Sequence, residues 1–170
     1  MKGYTVFVER EITAPAERLF GLIADPAMHP RFDGSGMAQA AAPDSPRSLK
    51  LGDCFGMSMR QGIGYRTMNR IVELEPDHRI AWQTTVSSGL GRLIGGRIWR
   101  YELEARDAST LVRETWDLSR DHERWLLRLG PLPVTTKKNM ERSLKLLEKL
   151  ALESPIPPPE APSGAPEDPG

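Results

Sequence analysis

Apolar and polar residues alternate with a period of two along most of this chain, and that pattern predicts β-strands. The alternating segments are residues 4–12, 53–62, 65–76, 79–87, 96–106 and 109–118. Short connections rich in turn residues, such as EPDH and RDAS, join several of these segments. A parallel pair of strands needs a much longer crossover, so the pattern predicts an antiparallel meander.

Helical spacing occurs at two places outside these segments. The sequence TAPAERLFGLIAD follows the first strand and has an apolar face around Leu19 and Ile23, and DPAMHPRF then breaks it into a second short helix or turn. Near the end of the chain, an i, i+4, i+7, i+11 stripe consists of Met140, Leu144, Leu147 and Ala151. We therefore predict an α+β fold in which a curved antiparallel β-sheet wraps around a long C-terminal α-helix, with two short helices after the first strand.

Two stretches show neither period. Residues 154–170, SPIPPPEAPSGAPEDPG, are too rich in proline to bury apolar surface, and we predict that they form a disordered tail. Residues 38–48, AQAAAPDSPRS, are predicted to be a loose connection across an edge of the sheet. Residues 1–153 then form one domain, of a size that can bury a substantial core.

Charge and cysteine content narrow the classes of partner. The 23 basic and 23 acidic residues cancel, which argues against a nucleic-acid-binding protein, because such proteins neutralise phosphates with an excess of basic residues. With Cys54 as the single cysteine, no internal disulfide can form, which fits a reducing compartment. The N-terminus lacks the apolar core of a signal peptide, and no segment approaches the ~18 apolar residues of a membrane span. We expect a cytoplasmic protein.

Glu114 occupies an unexpected position in the strand TLVRETWDL. A period of two places it between Val112 and Trp116 on the apolar face of that strand. In a solid core an unpaired carboxylate neutralises or destabilises the fold. Three interpretations stay open: Glu114 faces a pocket that holds water or a ligand, it forms an ion pair with Arg10 or Arg70, or it lies near a solvated rim.

Four blocks of sequence resemble a known superfamily. In chain order they are REITAPAERLFGLIADPAMHPRF, LGDCFGMSMR, NRIVELEPDHRIAWQ and WRYELEARDASTLVRETWDLS. Over roughly residues 4–152 the chain resembles the SRPBCC, or START-like, superfamily of polyketide cyclases, aromatases, lipid-transfer proteins and plant allergens. The resemblance implies a helix-grip fold with a ligand cavity between the sheet and the C-terminal helix. The blocks are markers of the fold, and none is a catalytic signature.

The inward faces of the strands predict which side chains line such a cavity. The predicted ligand-binding residues are Trp99, Tyr101, Glu114, Trp116, Trp82, Met57, Met59 and Arg70. Aromatic and methionine side chains with a few polar groups are typical of sites for small apolar ligands. The same side chains would also make an ordinary core. An arginine such as Arg70 would be the anchor for a ligand carboxylate.

Residues at the two ends of the predicted cavity are further candidates. His29 and Asp33 lie where the short helices of the family cover one end, and such a pair could transfer protons or simply form a surface hydrogen bond. Residues 120–133 precede the long helix and contain Trp125, Leu126 and Leu129. These apolar residues could form the other lip of the entrance or pack into the core.

Several sharper chemistries lack their motifs. The three histidines have no metal-ligand spacing to one another or to Cys54, so we predict no metal and no cofactor. GLGRLIGG, residues 89–96, precedes a strand, whereas a nucleotide-binding loop of this kind opens a helix. No hydrolase or P-loop motif is present in the sequence.

Three functions of different classes remain. The leading hypothesis is a protein that binds a small hydrophobic molecule, a lipid or a polyketide-like aromatic, in the cavity. The second is a cyclase, aromatase or dehydratase that uses Glu114, Tyr101, Arg70 or His29 as acid–base groups, two of which would have to converge on one cavity wall. The third is a surface-mediated interaction protein, suggested by a basic side of the last helix comprising Lys138, Arg142, Lys145 and Lys149.

Overall fold

The described residues form seven strands and four helices, in which the six predicted strands, the two short helices and the long C-terminal helix occur in the predicted order, together with a short strand at 38–41 and a short helix at 124–127 that the pattern did not predict. The structure, a computed structural model, describes residues 3–46, 48–86 and 95–153. The strands are β1 (Thr5–Ile12), β2 (Ala38–Ala41), β3 (Cys54–Gln61), β4 (Ile63–Glu75), β5 (Arg79–Val86), β6 (Gly95–Ala105) and β7 (Thr110–Asp117). The helices are α1 (Ala16–Ala24), α2 (His29–Phe32), α3 (Arg124–Leu127) and α4 (Leu132–Glu153), and a 3-10 turn covers Pro26–Met28.

All seven strands join one antiparallel sheet in the order β1-β7-β6-β5-β4-β3-β2. The first and last strands of the chain therefore lie side by side, and the meander runs outward from them to β2. Helix α4 packs against β1, β7, α1 and α2. The predicted α+β fold, an antiparallel sheet with a long C-terminal helix and short helices after the first strand, is confirmed.

The predicted apolar stripe of α4 is the face that packs into the core. Its four residues and Leu150 are all buried. On the same helix, the Ser143 hydroxyl accepts a hydrogen bond of 2.9 Å from the backbone N–H of Gly34. A Cβ at Gly34 would lie 2.0 Å from the carbonyl oxygen of Asn139. Only glycine lets the segment after α2 approach α4 this closely.

A β-bulge changes the face of β4 that points inward. The pairing of β4 with β5 shifts between Ile71 and Glu73, which leaves Val72 as an extra residue. Leu74 packs against the core beyond the bulge, and Ile71 is buried before it. A count in steps of two from Leu74 towards the start of β4 therefore assigns residues of the outer face to the inward face. Arg70 is exposed on the outer surface, and the prediction that it faces the cavity is wrong.

The alanine-rich segment predicted as a loose connection contains an edge strand. Residues Ala38–Ala41 form β2, which pairs with Met57, Ser58 and Met59 of β3. Alanine has a low intrinsic preference for strands, so this pairing depends on β3 rather than on the local sequence. The predicted tail, residues 154–170, lies outside the described residues. Among the helices described, none is long and apolar enough to span a membrane.

An ion pair joins the first strand to the last helix. The Arg10 guanidinium donates a hydrogen bond of 2.8 Å from Nε to Glu148 of α4. Arg10, one of the two predicted ion-pair partners of Glu114, therefore does not pair with Glu114. Both side chains of the ion pair are partly solvated, with 35% and 27% of their surfaces exposed, so its energy is limited by solvent screening.

We expect Arg10→Gln and Glu148→Gln each to lower the free energy of unfolding by about 1 kcal/mol. The double variant should lose less stability than the two single variants lose together, and the difference is a coupling energy of roughly 0.5–1 kcal/mol. Urea unfolding of the four proteins measures this coupling. A coupling energy of zero would show that the pair contributes no stability.

Candidate functional site

A cavity of about 470 Å³ lies between the concave face of the sheet, α2 and the segment after it, and the first half of α4. Strands β3 to β7 each contribute side chains to its wall. The strand residues that line it include Met57, Met59, Gln61, Tyr65, Thr67, Asn69, Trp82, Thr84, Arg97, Trp99, Tyr101, Glu114 and Trp116. The helices and the segment after α2 add His29, Phe32, Asp33, Ser35, Met37, Leu132, Thr136, Asn139, Met140 and Ser143.

Strand register places the aromatic residues in one row across the sheet. Trp82 pairs with Trp99, and Trp99 pairs with Trp116. The Trp99 and Trp116 rings lie 6.3 Å apart between centroids. Because directly paired residues of neighbouring strands point to the same face, three strands with tryptophan at matched positions produce a continuous aromatic wall.

The inner end of the cavity is closed by a cluster of rings around His29. The imidazole lies 4.9 Å from the Trp82 ring and 5.3 Å from each of the Phe32 and Phe55 rings, measured between centroids. Tyr101 stacks on Trp82 at 5.6 Å. Helix α2 is only four residues long, and its two buried residues, His29 and Phe32, are both ring-bearing. This helix therefore acts as an aromatic cover over the sheet.

Most polar groups in the wall are already satisfied by the protein. The Thr84 hydroxyl donates to the Asn69 side-chain oxygen at 2.7 Å, and the Asn69 amide donates to the Phe55 carbonyl at 3.4 Å. The Asp33 carboxylate accepts from the Ser35 backbone and hydroxyl and from the Ala38 N–H. These bonds fix the loop between α2 and β2 and leave little capacity for a ligand.

Glu114 differs from these groups. Only 3% of its surface is exposed, and its Oε2 atom has no hydrogen-bond partner among the described residues. Burial raises the pKa of its carboxyl from 4.5 to about 8, and the negative charge of Asp33 acts in the same direction. A hydrogen bond with the Tyr101 phenol opposes that increase. At neutral pH the side chain is mainly a neutral carboxylic acid.

Tyr101 is the cross-strand partner of Glu114. The two residues are directly paired between β6 and β7, and Val8 of β1 is the partner of Glu114 on the other side. Burial, and then the nearby Glu114 carboxyl, raise the pKa of the Tyr101 phenol well above its ordinary value. The phenol therefore stays protonated. Two groups that hold protons at neutral pH lie side by side in the cavity wall.

His29 lines the cavity as a neutral imidazole in one defined tautomer. Its Nε2 donates a hydrogen bond of 2.8 Å to the Ile23 carbonyl, which leaves Nδ1 without the proton of the neutral ring. Burial lowers the pKa of the imidazole from 6.5 to about 4, although the Ile23 carbonyl and the charges of Asp25 and Asp33 oppose this decrease. The Asp33 backbone N–H donates to the His29 carbonyl at 2.8 Å, but among the described residues no hydrogen bond joins the two side chains, so the predicted proton-transferring pair is not formed.

The entrance lies at the end of the cavity opposite His29. Tyr65 and Leu132 line the cavity and are still more than one-third exposed. Arg97 lies on the same strand as Tyr101 but nearer this end, and its Nε binds the fully buried Asp121 at 3.1 Å. Asp121 also accepts from the Glu123 N–H at 2.8 Å, so this pair attaches the segment before α3 to β6.

The apolar residues of the predicted lip do not pack into the core. Trp125, Leu126 and Leu129 are 66%, 53% and 62% exposed. None of the three lines the cavity. They lie in and just after α3, which precedes the entrance residue Leu132 of α4 along the chain. The alternative that they belong to the core is therefore wrong.

The structure brings together seven of the eight residues predicted to bind a ligand. Trp99, Tyr101, Glu114, Trp116, Trp82, Met57 and Met59 all line the cavity, and Arg70 does not. Whether these seven bind a ligand stays a prediction. Sequence reasoning missed Arg97, although it shares a period-two face with Trp99 and Tyr101. It also missed Thr136, Asn139 and Ser143, because these polar residues of α4 do not belong to the apolar stripe by which the helix was predicted.

A second depression, of about 270 Å³, lies on the outer face of the sheet. It is lined mainly by charged residues, including Glu9, Glu75, Arg79 and Arg113. Arg113 binds Glu9 at 2.7 Å, and Arg79 binds Glu75. Mutual pairing of solvated charges explains this depression without a ligand.

Comparisons with known proteins agree with the fold. No family model matches the chain. An uncharacterised protein of Mycobacterium tuberculosis strain H37Rv is 33% identical over 109 residues, which are 63% of this chain and 44% of that protein. The chain thus spans less than half the length of the curated relatives it matches. Such a partial match leaves the activity of this chain open.

Solved structures resemble about nine-tenths of the chain. A protein from Arthrobacter aurescens has a TM-score of 0.69 and 13% identity, and the match covers 91% of each chain. DynU16, from the dynemicin biosynthetic locus, has a TM-score of 0.64 and 13% identity, over 89% of this chain and 48% of its own. At these identities the similarity establishes the α+β architecture alone.

Proposed function

We propose that this protein binds a small hydrophobic molecule in the cavity between its sheet and α4. The observation that carries the proposal is the cavity itself, whose volume of about 470 Å³ lies within the range of about 300–1,000 Å³ usual for ligand sites. A core evolved only for stability packs to crystal-like density and leaves few voids larger than a water molecule. We further propose that the chain is a START-like protein, as the sequence blocks suggest.

The chemistry of the wall supports an apolar and ring-shaped ligand. Tryptophan, tyrosine and phenylalanine side chains stack favourably with planar rings, and methionine adapts to different shapes. Met57 and Met59 line the same cavity as the row of Trp82, Trp99 and Trp116. A lipid chain or a polyketide-like aromatic fits this wall, whereas a highly charged ligand would find most polar groups already paired.

Filling the cavity should abolish binding without unfolding the protein. Met59 lines the cavity, and Met68 lies on the outer face of the next strand, 38% exposed. We expect Met59→Trp to weaken binding of a β-methylnaphthalene probe at least tenfold, because the larger side chain occupies the ligand's space. Met68→Trp is the matched control and should bind as the wild type does.

The experiment is an NMR titration that follows the indole N–H signals of the cavity tryptophans. Equal binding by wild type and Met59→Trp would place the probe elsewhere on the molecule and contradict the proposal. Thermal unfolding of both variants should show that each remains folded, since the introduced indole in Met59→Trp enters existing space rather than displacing backbone.

A second candidate function is acid–base catalysis in the same cavity. Glu114 and Tyr101 converge on one wall, and the raised pKa of Glu114 lets it act as a general acid near neutral pH. The substrate would then be a cyclising or dehydrating polyketide-like chain. Incubating the protein with a precursor of the molecule extracted from it distinguishes the two functions, because an enzyme converts that precursor and a carrier leaves it unchanged.

The surface-mediated function stays a prediction. Lys138, Arg142, Lys145 and Lys149 are exposed, as the sequence predicts. Glu141 lies among them and is also exposed. A solvated helix face usually has this composition, and no further observation favours a partner.

A further inference from the structure

We infer that Glu114 and Tyr101 recognise a neutral oxygen, a carbonyl or hydroxyl, carried by the otherwise apolar ligand of this cavity. The inference rests on the proposed function, because it names the chemistry of a molecule bound in the same cavity. It goes beyond that function by assigning one specific contact and by disfavouring two kinds of ligand group there.

The first step is the unpaired Oε2 atom of Glu114. Buried polar atoms almost always have a partner, and leaving one without a partner costs free energy. Asn69, Thr84 and Asp33, three polar side chains of the same wall, have hydrogen-bond partners within the protein. Glu114 thus retains unused hydrogen-bonding capacity in a cavity wall, and a ligand group is the partner that this position lacks.

The second step is the charge of the partner. Among the described residues, Arg10 binds Glu148 and Arg97 binds Asp121, so neither arginine reaches Glu114. Asp33 also lines this cavity and adds negative charge. A ligand carboxylate at this point would lie near the negative charge of Asp33 with no described cation to pair with, so a neutral oxygen is favoured over it. An ammonium group would require the buried carboxyl to ionise in an aromatic and apolar enclosure, which its desolvation opposes.

The third step is geometry along the strand. Arg97 and Tyr101 are four residues apart on β6, so their Cα atoms are separated by about 13 Å. Arg97 is already paired with Asp121 at the entrance, and the neutral oxygen belongs beside Tyr101 and Glu114. Trp99 lies between these two positions and offers a stacking surface for the apolar body.

The test compares two probes of the same shape, β-naphthol and β-methylnaphthalene, in which a hydroxyl replaces a methyl group. We expect wild type to bind β-naphthol about tenfold more tightly, the value of one buried hydrogen bond to an acid group. Glu114→Leu should lose this preference and still bind β-methylnaphthalene. Glu114→Gln, which keeps a hydrogen-bonding amide, should retain part of it.

The outcomes distinguish failure of this inference from failure of the proposed function. Equal affinity of wild type for the two probes would overturn the inference and leave apolar binding intact. A preference that survives in Glu114→Leu would also overturn it, because another group would then recognise the hydroxyl. Failure of wild type to bind either probe would contradict the proposed function itself. The wild-type ratio is decisive even if Glu114→Leu does not fold.

Discussion

Glu114→Gln should be markedly more stable than the wild type above pH 8 and about equally stable below pH 5. The unfolded chain releases the Glu114 proton near its ordinary pKa of 4.5, whereas the folded chain holds it until about 8. Between these values the folded state binds more protons, so stability falls as pH rises. Glutamine is neutral at every pH and removes that dependence.

The size of the effect follows from the difference between the two pKa values. At about 1.4 kcal/mol per pH unit, the shift from 4.5 to about 8 corresponds to about 5 kcal/mol of stability lost by wild type across this range. The ionised carboxylate in the folded state is the cause, because it is surrounded by Tyr101, Val8 and aromatic rings, and none of the described residues places a cation beside it.

Urea unfolding at a series of pH values measures this difference. The matched control is Glu104→Gln, which removes an exposed carboxylate from β6 beyond the cavity and should keep the wild-type pH dependence. Parallel profiles for wild type and Glu114→Gln between pH 5 and 9 would show that Glu114 is not buried as a neutral acid. The central feature of the cavity wall would then be wrong.

His29→Gln should remove a loss of stability that wild type shows as the pH falls below neutral. The unfolded chain protonates this histidine near 6.5, and the folded chain resists protonation until about 4. Wild type therefore loses stability as pH falls from about 6.5 to about 4, by roughly 3 kcal/mol at 1.4 kcal/mol per unit. Glutamine can still donate to the Ile23 carbonyl and carries no charge.

At neutral pH the same variant should be less stable than wild type by about 1–2 kcal/mol. The loss comes from the packing of the imidazole against the Phe32, Phe55 and Trp82 rings. The difference should change sign as pH falls, and near pH 4 the variant should be more stable than wild type by about 1–2 kcal/mol, because the protonation penalty of wild type then exceeds its packing advantage. The control His78→Gln replaces an exposed histidine and should keep the acid dependence of wild type. A constant difference at all pH values would contradict the burial of His29.

The two titrations act against each other in wild type. Between about 4.5 and 6.5 the His29 contribution rises with pH and the Glu114 contribution falls. Each variant therefore reveals a slope that wild type partly hides. The pair of profiles tests both ends of the cavity wall more strictly than either profile alone.

The inward faces of β3, β5, β6 and β7 could be predicted because the sequence alternates without interruption there. Glu114, which the sequence places on an apolar strand face, is buried in the structure and lines the cavity. The face of β4 could not be predicted, since the bulge at Val72 adds one residue and leaves no clear sign in the sequence. Arg70 was assigned to the cavity for this reason.

The polar cavity residues of α4 could not be predicted, for a different physical reason. An apolar stripe identifies the part of a helix that packs in a solid core, and Met140 to Ala151 fit that rule. Thr136, Asn139 and Ser143 line a cavity instead, where small and polar residues leave space. Likewise, complete burial of Asp121 depends on Arg97, which is distant in sequence. Pairing between distant residues cannot be inferred from periodicity.

Native mass spectrometry of the protein purified from its own host tests the central claim most directly. Wild type and Met68→Trp should carry a small molecule of one mass at close to one per chain, and Met59→Trp should carry much less of it. Extraction would then identify an apolar compound with a neutral oxygen. The same molecule bound equally to Met59→Trp would contradict a cavity site, as would a wild-type protein that is empty and also fails to bind β-methylnaphthalene.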